Sequence, residues 1–397
     1  MSAVSSKKTV GVIFGSRSVE HDVSIVTAQQ VMQALKPEKY DVVPIYITRD
    51  GRWLTGSGLR DLNTFKTDNV AEIMGIKDTL IAPGVSPQGQ ITPPLTGLFG
   101  RSQLRRLDVV FPVLHGTHGE DGTIQGLLEL ADIPYVGAGV MASAIARDKI
   151  MLKAVLAHHG IPVVECVAFS RHDWISDPNA ILQRIEAQLA YPVFVKPATL
   201  GSSIGVARAN DAGEARNYVN VAANFDRRIL VEAAVEGAME INCAVMGNEV
   251  VQASVLEQPI TWQEFLTYEE KYMRGEGAAG MKGAERKIPA PVSGDLTQRL
   301  QQMAVEAFKI VDGRGTARVD FLVREKTGEV FLNEINMIPG SMAFYLWQEM
   351  GLSPSDVVDK LIALALDAHA DKRKTVYNYK TGLIAHAAAR GLKGLKK

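Results

Sequence analysis

The sequence predicts an α/β protein of several domains, and three observations carry that expectation. Residues 9–48 run strand, helix, strand: an apolar run ends at Gly15, Val23, Val26, Val31 and Leu35 show helical spacing, and residues 40–48 turn apolar again. That order implies a parallel sheet with helices packed on it. Near the C-terminus two apolar strands, 316–323 and 331–336, flank polar residues 324–330 that read as a hairpin turn. A length of 397 residues exceeds one ordinary core and suggests roughly two or three.

Apolar content of 46% and charged content of 22% are those of a globular protein. A net charge of −1 argues against a nucleic-acid or anionic-membrane partner. No apolar run reaches the length of a membrane span, and the N-terminus has no apolar signal region. Cys166 and Cys243 lie far apart without metal-type spacing, which suits a reducing compartment. A soluble, cytoplasmic protein is the expectation.

Taken in order, the first strand leads into a loop holding Glu20. Ligands gather at the carboxyl ends of parallel strands, so this loop is a candidate binding edge. An acid near a helix N-terminus is also favoured by the dipole alone. Residues 50–105 mix Gly, Pro and Thr with short apolar runs and read as an elaborated insertion. A strand at 107–114 then enters His-Gly-Thr-His-Gly-Glu-Asp-Gly (115–122), whose glycines let backbone approach a ligand. A helix (123–131) and a short strand (133–136) follow. Residues 137–142 match the dinucleotide fingerprint G-x-G-x-x-A, but they come after several elements and lack the expected acid downstream. They read as a tight turn feeding the helix that carries Lys149 and Lys153.

After a break at 159–162 come a strand (163–169), a helix (178–189) and a strand ending at Lys196. The Gly/Ser loop 197–205 could cradle phosphate with its N–H groups, Lys196 adding a point charge. By itself a Lys before such a loop is more often turn chemistry, and no G-K-[ST] opens a helix here. A helix (211–223) and strands at 229–235, 240–246 and 249–256 follow, with Glu232 inside an apolar run. Residues 258–287 are polar and glycine-rich, the composition of a mobile flap. Helices are expected at 296–310 and 356–368, and the last 20 or so residues read as a solvated basic tail.

The C-terminal hairpin carries the sharpest chemistry. Period-two geometry puts Glu334 and Asn336 on one strand face, and Arg318 and Asp320 share a phase on the other strand. Pairing the strands gathers two carboxylates, an amide oxygen and a guanidinium, a hard donor set that suits Mg²⁺. Both strands are otherwise apolar, which favours a metal site over a solvated face.

Together these motifs resemble the D-alanine–D-alanine ligases of the ATP-grasp superfamily. The resemblance rests on residues 19–24, 115–122, 196–205, 268–272, 318–320 and 333–340, and spans about residues 9–370. It implies a three-domain ATP-grasp fold with a Rossmann-like N-terminal substrate domain (1–145), a central ATP-grasp domain (146–235), a C-terminal one with flap and metal site (236–375), and a basic tail (376–397). Carried over residue by residue, Lys149 and Lys196 contact ATP phosphates and the adenine edge, Glu232 the adenine amino group, and Glu240 the ribose. Ser202 and Ser203 cover the phosphates, and Lys271 reaches the γ-phosphate. Asp320, Glu334 and Asn336 hold two Mg²⁺ ions, for which Mn²⁺ can substitute. Glu20, linked through Ser202 to Tyr272, receives the first D-alanine's ammonium, with His115 beside it. Arg318 and the Gly340 N–H stabilise the tetrahedral oxyanion. The implied activity is ATP-dependent formation of D-alanyl-D-alanine through an acylphosphate, by a homodimer.

Tyr272 after Lys271 fits ligases that accept D-alanine second; those making D-alanyl-D-lactate are similar but carry histidine in the comparable place. The sequence departs from the family at 342–346. A serine-leucine pair there commonly binds the second carboxylate, and here Tyr345 and Leu346 stand in those places, offering a phenol and an N–H. D-serine or another small D-amino acid therefore stays open as second substrate. Also open are another ATP-grasp carboxylate–amine ligase or a biotin-dependent carboxylase, a non-catalytic ATP- or amino-acid-binding regulator and, last, a Rossmann oxidoreductase.

Overall fold

The computed structural model describes residues 7–67, 69–83, 90–91, 105–260, 286–324, 327–377, 379 and 381–390. Its first sheet has five strands in the order Lys77–Asp78, Trp53–Thr55, Tyr40–Ile47, Lys8–Gly15, Val109–Val113. The last three are parallel, with Val10 opposite both Val42 and Val109, and the first two add antiparallel at the edge. Val10, Val12, Ile13 and Phe14 are fully buried, as strands covered on both faces by helices must be. Residues 50–105 are thus in part an extension of this sheet, joined by short 3₁₀ turns, rather than a separate insertion.

The second sheet is antiparallel, in the order Ala207–Ala209, Val193–Pro197, Arg228–Ala233, Cys166–Ser170. Helices Pro178–Gln188 and Ala212–Phe225 lay Ile181, Ile185, Val219 and Ala222 on it. Each starts on an aspartate, Asp177 or Asp211, whose carboxylate accepts from a first-turn N–H. The third sheet is also antiparallel: Arg286–Lys287, Val251–Pro259, Met239–Gly247, Gly315–Arg324, Glu329–Asn336. Helix Gly294–Ile310 covers one of its faces with Leu300, Ala304, Ala307 and Phe308.

Two sequence expectations need correction. Lys149 and Lys153 are not on the helix that follows the 137–142 turn. That helix, Val140–Arg147, stops at Asp148, whose side chain accepts from Ile150 and Met151 N–H (3.0 and 3.1 Å) and so caps a second helix, Lys149–His158. The basic tail contains a helix, Leu383–Arg390. The C-terminal helices also pack further afield than sequence order suggests. Phe344, Leu346 and Trp347, with Val357 and Leu361 of helix Pro354–Lys372, share one core with Phe14 and Phe111 of the first sheet and Val31 of helix His21–Ala34. Among the described residues no helix is long and apolar enough to cross a membrane.

Candidate active site

Glu20 occupies the N-cap position of helix His21–Ala34, yet its carboxylate does not cap that helix. It accepts instead from Ser202 Oγ (2.6 Å), a residue 182 positions away, and from Arg147 Nη2 (3.3 Å). Arg147 reaches across to Glu120 Oε2 as well (3.2 Å), so one buried guanidinium bridges two buried acids. Only glycine fits opposite them: a Cβ on Gly116, at φ +78°, would meet Glu20 Oε2 and Ser18 Oγ at 2.5 Å. Burial alone would raise the Glu20 carboxyl, but the Arg147 charge and the Ser202 hydrogen bond outweigh it and hold Glu20 ionised. Glu120 goes the other way: burial, with Glu20 adding, lifts it to about 7 against Arg147. His115 is pushed down to about 4, chiefly by burial, and its Nε2 lies 3.0 Å from Thr27 Oγ1. This end of the cleft thus pairs one anionic carboxylate with a neutral imidazole, a pocket for one ammonium group.

Between the second and third sheets lies a cavity of about 430 Å³ lined by Lys149, Lys196, Ser202, Ser203, Glu232 and Glu240 among others. Lys149 is placed by the helix restart at Asp148; its N–H donates to the Ala198 carbonyl (3.0 Å) and its Nζ to Leu200 (2.7 Å). Ser202 and Ser203 both hold left-handed backbone, φ +54° and +58°, which tightens the 197–205 loop over the cavity. Glu232 is buried with Lys196 Nζ at 2.5 Å and Lys153 Nζ at 3.1 Å. Burial would raise its carboxyl, but the two ammonium groups win and hold it at about 2. Lys149, by contrast, is lowered by burial, Glu334 opposing and Arg147 and Lys196 adding.

The hairpin forms in the register the alternation predicts: Arg318 pairs with Asn336 and Asp320 with Glu334. Arg318 grips Asp320 through Nε and Nη2 at 2.7 Å each, and Asn336 Nδ2 donates to Asp320 Oδ2 (2.9 Å) and Glu334 Oε1 (3.3 Å). Burial, with Glu334 and Glu240 adding, nevertheless pushes Asp320 up to about 7 against Arg318. A face that strains to stay ionised beside its own arginine is one a further cation would relieve. The donor types, two carboxylates and an amide, fit Mg²⁺. Among the described residues there is no cluster of three or more His, Cys, Asp or Glu that could hold a metal ion.

A wider cleft of about 790 Å³ runs from Glu20, His115 and Ser202 past Arg318 and Gly340 to Tyr345. Gly340 opens a short turn, Gly340–Ala343, in which Ser341, Met342 and Ala343 all hold φ near +50°. Non-glycine residues in that region cost of order 1–3 kcal/mol each and persist where the surroundings hold them; here Met342 and Ala343 are locked into the first core. Tyr345 lines the cleft, its phenol donating to Glu257 Oε2 (2.7 Å), whereas Leu346, expected beside it as a ligand, is fully buried in the first core and does not line the cleft.

Glu20, Ser202, His115, Arg318, Gly340, Tyr345, Glu240, Glu334 and Asn336 therefore line one cleft, and Lys149, Lys196, Ser203 and Glu232 the adjoining cavity. Asp320 lies under that surface, held by Arg318. Lys271 and Tyr272, with the expected flap, lie outside the described residues. Sequence reasoning missed Arg147, Glu257 and Arg286. Arg147 carries no local signal, since its partners are 27 and 127 residues away. Glu257 stands in a strand that also carries Gln252, Ser254 and Gln258, so nothing local singles it out.

Two family models match the chain: "D-ala D-ala ligase N-terminus" over residues 9–138 and "D-ala D-ala ligase C-terminus" over residues 155–363. A D-alanine–D-alanine ligase of Geobacillus kaustophilus is 39% identical over 378 residues, 94% of this chain and 99% of the relative. One of Acetivibrio thermocellus is 40% identical over 379 residues, 93% and 98% of the two chains. Among solved structures, the D-alanine–D-alanine ligase of Coxiella burnetii aligns with a TM-score of 0.77 at 32% identity, covering 93% of this chain and 98% of that one. The VanG D-Ala:D-Ser ligase of Enterococcus faecalis aligns with a TM-score of 0.77 at 31% identity, covering 91% and 100%.

Proposed function

The chain belongs to the D-alanine–D-alanine ligase family and has its ATP-grasp fold, and from that premise we propose how its residues divide the reaction. It is an ATP-dependent ligase that joins two D-alanines into the dipeptide used for peptidoglycan. The observation that carries the residue assignment is that Ser202, Glu240 and Glu334 line both the substrate cleft and the nucleotide cavity. A donor carboxylate and a terminal phosphate therefore have one place to meet.

In this proposal Glu20, kept ionised by Arg147 and Ser202, takes the donor's ammonium group. Lys149 and Lys196 flank the phosphates, Ser202 and Ser203 cover them, and Glu232 and Glu240 face the adenine and ribose. Asp320, Glu334 and Asn336 are the residues that would hold Mg²⁺, which, when bound, neutralises phosphate charge. A carboxylate oxygen of the donor attacks the γ-phosphorus and ADP leaves, giving an acylphosphate. The acceptor's amine then attacks the carbonyl carbon, a C–N bond forms, the C–O bond breaks and phosphate departs. Charge building on the carbonyl oxygen is met by Arg318, whose Nη1 lies outside the Asp320 fork, and by the Gly340 N–H; losing one such donor typically costs about 10²–10³ in rate. Lys271, toward the γ-phosphate, and Tyr272, toward Glu20 through Ser202, complete the proposed set.

ADP release with ATP, Mg²⁺ and D-alanine, compared with D-lactate or D-serine added, tests the reading; no D-alanine-dependent ADP would sink it. A ligase taking D-serine second is the other reading, kept by Tyr345 at the acceptor end and by the likeness to the D-Ala:D-Ser ligase. We also place the enzyme in the cytoplasm as a homodimer, which light scattering on the purified chain checks.

A further inference from the structure

The ligase reading leaves the second substrate's carboxylate without a receptor, because the Tyr345 phenol already donates its proton to Glu257. The third sheet supplies a ruler for finding that receptor. Glu257 pairs with Asn242, Asn242 with Asp320 and Asp320 with Glu334, so the four stand in one row on one face across four strands. Strands are spaced by about 4.8 Å, which puts Glu257 roughly 10 Å from the Asp320 end where phosphoryl transfer takes place. Phosphate, carbonyl, attacking amine and acceptor carboxylate laid end to end cover a distance of that order. The acceptor's far end thus falls at Glu257.

What stands there is a clamped arginine. Arg286 Nη1 lies 3.2 Å from Glu257 Oε1, and its guanidinium carbon sits 4.4 Å above the Tyr345 ring centroid. The Glu257 carboxylate, only 3% exposed, holds the guanidinium with one oxygen and the Tyr345 phenol with the other. Arg286, 29% exposed, lines the substrate cleft. Among the described residues lining that cleft the guanidinium groups are Arg286 and Arg318, and Arg318 is committed to Asp320 and the oxyanion. A planar guanidinium stacked on a ring and fixed along one edge is pre-organised to receive a carboxylate.

We propose that Arg286, oriented by Glu257 and the Tyr345 ring, binds the carboxylate of the acceptor amino acid and so determines what the ligase accepts second. The inference rests on the ligase reading and adds the acceptor's selecting group to it. Tyr345 contributes its ring as a platform rather than its hydroxyl as a ligand. Glu257 acts through Arg286 and is a positioning residue.

The test is competition between D-alanine and D-alaninamide, with D-alanine also the donor. The amide has no carboxylate to activate and can serve only as acceptor, and the two dipeptide products differ in mass. Both acceptors intercept the same acylphosphate, so the product ratio is independent of ATP use and of how much enzyme is folded. Wild type should favour D-alanine by about 100-fold, the range of a charge-assisted contact. Arg286→Gln should cut that preference by about 10- to 100-fold with the ATP and first D-alanine KM unchanged, and Arg286→Lys should restore part of it. Glu257→Gln should lower the preference several-fold, which keeps the test open if Arg286→Gln fails to fold. An active Arg286→Gln enzyme with the wild-type product ratio overturns the assignment alone. A wild type that forms no dipeptide overturns the ligase reading and this inference with it.

Discussion

Two buried carboxylates a sheet apart show opposite solutions to the same problem. Glu232, on the second sheet, has an ammonium group at each oxygen and is held at about 2. Asp320, on the third, has a bidentate arginine yet is pushed up to about 7, because burial is joined by Glu334 and Glu240. In the first cluster the acid is fully paired within the protein, both of its oxygens held by lysines, with one positive charge to spare. The second sets three acids, Asp320, Glu334 and Glu240, against Arg318 and against Lys149, whose Nζ lies 3.8 Å from Glu334. In the proposed reaction the first cluster walls the nucleotide cavity and the second faces the phosphates and Mg²⁺.

Breaking the first cluster should have the largest effect. Glu232→Leu leaves Lys153 and Lys196 buried without their acid and should cost about 3–5 kcal/mol in denaturant unfolding. A loss under about 1 kcal/mol would mean that the lysines find other partners. The pH dependence sharpens the same point. The folded pKa of Glu232, about 2, lies below its ordinary 4.5. Its contribution is therefore complete above pH 4.5 and disappears as pH falls through about 2. The stability gap between wild type and Glu232→Gln should narrow by up to about 3 kcal/mol over that window. A gap that is flat with pH would contradict the ion-pair account.

At the second cluster the effect should appear in turnover rather than in folding. Glu334→Gln should reduce kcat by at least about 100-fold at limiting Mg²⁺, with partial recovery as Mg²⁺ is raised, and unfold near the wild-type midpoint. Near-normal turnover at limiting Mg²⁺ would remove Glu334 from the metal set. The smallest change is expected from Ser202→Ala, which deprives Glu20 of one hydrogen bond out of several. It should raise the first D-alanine KM about 5-fold, in line with roughly 1 kcal/mol per hydrogen bond.

The legibility of the two clusters in sequence also differs, for a physical reason. The second was readable because Arg318, Asp320, Glu334 and Asn336 lie on two strands joined by a short turn, where period-two alternation fixes the face. The parallel strand–helix–strand start of the first sheet was legible in the same local way, while its strand order and antiparallel edge were not. Glu232 announces itself as an acid in an apolar strand, but its partners Lys153 and Lys196 come from a helix and a neighbouring strand whose pairing is long-range. Arg147 was invisible: it is the last residue of helix Val140–Arg147 and finds both acids through tertiary packing alone. The restart of the helix at Asp148 could be read only as a cap once the chain was folded, since Asp before Lys is ordinary in a continuous helix.

The account stands on a carboxylate meeting a phosphate where the two cavities join at Ser202, Glu240 and Glu334. D-alanine labelled with ¹⁸O in its carboxylate, turned over with ATP and Mg²⁺, tests this directly. The account predicts that each phosphate released carries one labelled oxygen, left behind when the acceptor amine breaks the acyl C–O bond. Phosphate released without label, or no D-alanine-dependent phosphate at all, would contradict it.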